Sequence, residues 1–66
     1  MQITLNGEPI EFDGAPTIAE LLQHTGHANR RVAIELNQAI VPRSQHAVQR
    51  LVEGDRVEIV QAMGGG

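Results

Sequence analysis

One stretch of this sequence combines apolar residues at helical spacing with helix start and stop signals. In TIAELLQHTG, Ile18, Leu21 and Leu22 fall at i, i+3 and i+4 and make one apolar stripe. Thr17 and Glu20 have the spacing of a capping box at its start, and Gly26 stands where a left-handed residue would stop it. The segment predicts two helical turns, too short to persist in water unless packed. The remaining apolar residues must therefore supply a surface for it, and they alternate as strands do.

In QITLNGEPIEF, Ile3 and Leu5 alternate with polar residues, Asn6-Gly7 suits the two positive-φ positions of a tight turn, and Ile10 and Phe12 return. Pro9 cannot donate to a ladder, which sends that second strand to a sheet edge. Val32, Ile34 and Leu36 share one face of a third strand; Asn37-Gln38 predicts a turn, and Ile40-Val41 a short strand ended by Pro42. The segment SQHAVQRLVEGD reads as irregular or one helical turn, with Val48 and Leu51 expected in the core. After the turn signal Glu53-Gly54-Asp55, RVEIVQA predicts a last strand with Val57 and Ile59 inward. The order ββαββ, a short turn, then β suits an α+β domain: a small mixed sheet packed on one helix. At 66 residues, 41% of them hydrophobic and none cysteine, there is material for one small core and no disulfide to staple it.

Composition disfavours several functions. The net charge is −3, the five basic residues are all arginine, only Arg30 and Arg31 are adjacent, and Phe12 is the sole aromatic residue. That is poor material for binding nucleic acid, which calls for clustered cations and stacking rings. No apolar run approaches a membrane span and the N-terminus has no signal-type core, so a cytoplasmic protein is expected. Without Cys or Lys there is no thiolate or Schiff-base nucleophile. Ser44 and His46 lack an orienting acid and an oxyanion hole. His24 and His27 have a helical ligand spacing, but Gly26 intervenes and no acidic or sulphur partner completes a metal set. Glu8, Glu11 and Asp13 read as a solvated face that deters edge pairing. No bound cofactor or metal is expected.

The sequence closes on QAMGGG, where Gly64, Gly65 and Gly66 add nothing to a core. They are either a passive end or a thin stalk behind a carboxylate. Such a carboxylate, with an ordinary pKa of about 3.5, is ionised and a poor electrophile at neutral pH. A partner would have to activate it, for example as an acyl-adenylate, and glycines would pass the narrow channel leading to that partner's site. The domain is expected over residues 1–62 and a flexible tail over 63–66, with a reach of at most about 14 Å. On the last strand, alternation turns Val60 and Ala62 away from the core beside Met63, a candidate docking surface.

The segments ITLNGEPIEF, TIAELL, VAIELNQAIVPRSQHA and EGDRVEIVQAMGGG resemble the ThiS family of ubiquitin-like sulphur carriers in thiamine biosynthesis, along essentially the whole chain. The resemblance implies a β-grasp fold. It also implies that an E1-like enzyme of the ThiF type uses ATP to adenylate Gly66, that sulphur from a cysteine-desulphurase relay then gives a thiocarboxylate, and that a ThiG-type thiazole synthase takes the sulphur. The chain would be a cosubstrate and not an enzyme. A Gly-Gly end alone also fits the small subunit of molybdopterin synthase. A non-covalent β-grasp binding module with passive glycines is the reading from another class.

Overall fold

A computed structural model of the chain describes residues 1–61. Five strands and one helix follow one another as β1 (Gln2–Leu5), β2 (Glu8–Glu11), α1 (Ile18–His24), β3 (Val32–Leu36), β4 (Ala39–Val41) and β5 (Arg56–Gln61), with a 3₁₀ turn at Arg43–Gln45 before the last strand. The sheet order is β2-β1-β5-β3-β4. β1 runs parallel to β5 and every other neighbouring pair is antiparallel, so the sheet is mixed, as expected. The central place of β5 between the two hairpins gives the β-grasp arrangement.

Each element has a local cause. Asn6 (φ 48) and Gly7 (φ 85) make the left-handed pair that joins β1 to β2, and Asn37 (φ 52) and Gln38 (φ 75) do the same for β3 and β4. Pro9 lies on β2, an edge strand. The helix starts on a complete capping box: Thr17 Oγ1 accepts from Glu20 N at 3.1 Å and Glu20 Oε1 accepts from Thr17 N at 2.8 Å. It stops at Thr25, followed by Gly26 at φ 82.

Ile18, Leu21 and Leu22 meet Ile3, Ile34, Val57 and Ile59 from the inner sheet face, and Leu51 closes the core from the connection before β5. Val48 departs from expectation: it is 66% exposed, whereas Leu51 is fully buried. The connection crosses the helix start as a strand-like segment. Ile18 N donates to Gln49 O, Leu51 N donates to Pro16 O, and Thr17 bridges to Arg50. That docking directs Leu51 into the core, while Val48 still belongs to the preceding turn, its N–H on Gln45 O.

Candidate functional site at the end of the last strand

The outer sheet face, opposite the helix, is set by strand register. Val57 and Ile59 are buried, so Arg56, Glu58 and Val60 project outward. Antiparallel pairing places Ala33 opposite Val60 and Glu35 opposite Glu58, and Ile40 of β4 lies opposite Glu35. Residues directly paired across strands share a face. Val60 (50% exposed) and Ala33 thus form a small apolar pair toward the end of β5, with Ile40 (64% exposed) on the same face two strands away, level with Glu58. A shallow groove there is lined by Arg31, Val32, Ala33, Arg43, Val60 and Gln61. Two guanidinium groups therefore border the apolar surface beside the last described residue. Strand alternation anticipated the exposure of Val60. It did not supply Ala33 and Ile40, whose company depends on register, nor Arg31 and Arg43, which lie outside the strands.

The other expected members of the site, Ala62, Met63, Gly64, Gly65 and Gly66, lie outside the described residues, as does the boundary between the domain and its tail.

The remaining chemical candidates have structural occupations. The His46 ring bonds to Val41 O through Nε2 at 3.1 Å, and since a carbonyl only accepts, Nε2 carries the proton. That nitrogen is not a free base for Ser44, which sits exposed in the 3₁₀ turn. The Thr25 hydroxyl approaches Leu21 O at 3.0 Å and also meets His27 Nδ1 at 2.8 Å, so His27 helps close the helix C-terminus. His24 packs edge-on against Phe12, ring centroids 5.0 Å apart. The two histidines thus face different neighbours. Among the described residues no group of three or more His, Asp or Glu side chains is arranged to hold a metal ion. Glu8 and Glu11 lie exposed on the β2 edge, with Asp13 just beyond it, where their charges guard an open ladder. No helix among the described residues is long and apolar enough to cross a membrane.

Comparison with known proteins bears on the family and the fold. The whole chain is 41% identical over 66 residues to a thiazole synthase of Paramagnetospirillum magneticum, of which it spans only 20%. It is 33% identical over 66 residues to the sulfur carrier protein ThiS of Escherichia coli K12, covering both chains completely. The crystal structure of the thiamine biosynthesis protein ThiS from Geobacter metallireducens superposes with a TM-score of 0.86 at 35% identity, again over all of both chains. Residues 3–66 match the ThiS family. With a family match over nearly the whole chain, a full-length carrier relative and a full-length structural likeness, the chain belongs to the ThiS family.

Proposed function

We propose that this chain is a sulphur carrier for thiazole formation in thiamine biosynthesis, with the carboxyl group of Gly66 as its reactive end. One observation carries the reading: the whole chain aligns, at 33% identity over 66 residues, with a protein named as a sulphur carrier. The chemistry follows in four steps. An E1-like enzyme of the ThiF type transfers AMP from ATP to the Gly66 carboxylate, releasing pyrophosphate and leaving an electrophilic acyl carbon. A persulfide from a cysteine-desulphurase relay attacks that carbon and displaces AMP. Reductive cleavage of the resulting acyl disulfide by a thiol leaves the thiocarboxylate. A ThiG-type thiazole synthase then accepts the sulphur.

The family's thiazole-synthase relatives bear on the last step. A protein that contains a segment like this one and is named for thiazole synthesis supports a partnership between carrier and synthase. Gly64 and Gly65 suit passage through a narrow channel because they carry no Cβ. Cysteine is absent from the chain, so carried sulphur has no side-chain thiol to occupy. The outer-face residues around Val60 are the proposed docking surface for the activating enzyme, to which the sequence adds Ala62 and Met63. ATP belongs to that enzyme and not to the carrier.

The test is intact mass spectrometry after incubation with ATP, the activating enzyme and a sulphur donor. Exchange of one oxygen for sulphur, mapped to Gly66, is the expected result. An unchanged mass, with the enzyme active on a control carrier, would leave a non-covalent binding module in its place.

A further inference from the structure

We propose that Asn6 is a positioning residue for activation of the C-terminus: its side-chain amide replaces a missing strand neighbour and sets the line along which β5 delivers the tail. The inference rests on the carrier reading above. β1 pairs with β5 only through Thr4↔Arg56 and Leu5↔Val57 before the chain turns back at Asn6-Gly7. The peptide groups of β5 alternate between its two sides. Asp55 O and Val57 O accept from Thr4 N and Asn6 N, each at 2.9 Å. Ile59 is the next residue to face that side, and β1 has no peptide left for it.

Asn6 fills the gap with its side chain. Its Oδ1 accepts from Ile59 N at 2.8 Å, and its Nδ2 donates to Ile59 O at 3.3 Å. A primary amide presents the same donor and acceptor as a strand peptide, so the ladder gains one further rung. On the opposite side β5 remains paired with β3 as far as Val32↔Gln61. Ile59 is therefore held from both sides, two residues before the last described one.

Once the activating enzyme draws the tail out, the seven residues from Ile59 to Gly66 can span at most about 24 Å at roughly 3.4 Å each, and Ile59 is where that span is anchored. Misplacing a reacting group by about 1 Å can cost on the order of a hundredfold in rate.

An internal control has the same chemistry elsewhere. Asn37 donates its N–H to Arg56 O at 2.7 Å, accepts from Arg56 N through Oδ1 at 2.9 Å, and donates through Nδ2 to Asp55 Oδ1 at 3.0 Å. It clamps the start of β5, far from the tail. Both asparagines have positive φ, 48 and 52, which glycine adopts freely. Asn6→Gly and Asn37→Gly thus each delete an amide and leave the turn.

The experiment compares wild type, Asn6→Gly, Asn6→Asp and Asn37→Gly for thiocarboxylate formation by the activating enzyme, with Kd for that enzyme and thermal stability measured alongside. Asn6→Gly should lower turnover at saturating carrier by about tenfold or more, with Kd changed less than about twofold, the pattern of a lost orientation and not of lost binding. Asn37→Gly should lose comparable stability and keep turnover within about twofold. Asn6→Asp retains the acceptor for Ile59 N and should fall between; it decides the matter if Asn6→Gly does not fold. Unchanged turnover for the Asn6 variants, or equal losses for Asn6 and Asn37, overturns the positioning role alone. A wild-type chain that gains no sulphur overturns the carrier reading, and this inference with it.

Discussion

Truncating or charging Val60 should weaken docking while leaving the domain folded. Half of this side chain is exposed, and the buried half is already held by the sheet. Only the exposed half is available to a partner. Removing two methyl groups in Val60→Ala deletes up to about 1.6 kcal/mol of fully buried apolar surface, at about 0.8 kcal/mol per group. Half of that is about 0.8 kcal/mol, about fourfold in Kd. Val60→Glu does more, because a carboxylate would be desolvated against the partner beside Glu58 and Glu35 on the same face. Arg31 and Arg43 border the same groove and offset part of that cost, so affinity should drop by about tenfold or more. Folding should change by no more than about 0.5 kcal/mol, as at other exposed positions. Calorimetric titration of each variant into the activating enzyme reads the first quantity, and thermal melting reads the second. A Kd within twofold of wild type for Val60→Glu would refute the docking face, whatever became of the tail.

Three further expectations concern the body and its end. Leu51→Ala empties a fully buried position and should cost about 2–5 kcal/mol, against a total of about 3–10 kcal/mol for a 66-residue domain, whereas Val48→Ala at a 66% exposed position should melt within a few degrees of wild type. Gln38→Gly should raise the melting temperature by about 2–8 °C, since Gln38 holds φ 75 without glycine's freedom; part of the relief is offset by the looser unfolded chain. Appending one alanine after Gly66 should abolish the gain of sulphur in the mass assay while leaving the melting temperature and the Kd for the activating enzyme unchanged.

The readings that succeeded from sequence rest on short-range physics. The capping box at Thr17 and Glu20, the left-handed pair Asn6-Gly7 and the edge placement of Pro9 are each decided by residues within a few positions of one another. Val48 and Leu51 were indistinguishable on that basis, both apolar and three residues apart. What separates them is the path of the connection across the helix start, through bonds from Ile18 and Leu51 to residues more than thirty positions away. The same holds for the candidate docking face. Alternation exposes Val60, but only the antiparallel register of β3 on β5 sets Ala33 beside it, and that of β4 on β3 puts Ile40 on the same face.

Asn6 shows the two kinds of information in one residue. Its backbone role is local: the turn needs positive φ, and asparagine tolerates it nearly as well as glycine. Its amide role is distant, because the partner peptide at Ile59 is 53 positions away. A glycine would serve the turn and leave Ile59 unpaired; a longer side chain would reach Ile59 only by straining the turn. Asparagine at this position satisfies both demands, and on the other flank of the same strand Asn37 likewise accepts a strand N–H through its amide oxygen, its Nδ2 going to the Asp55 carboxylate. Two hairpin turns thus grip the strand between them, one at its start and one near its end. The strand so held carries no catalytic group. In a carrier, the direction in which it points is what the body contributes.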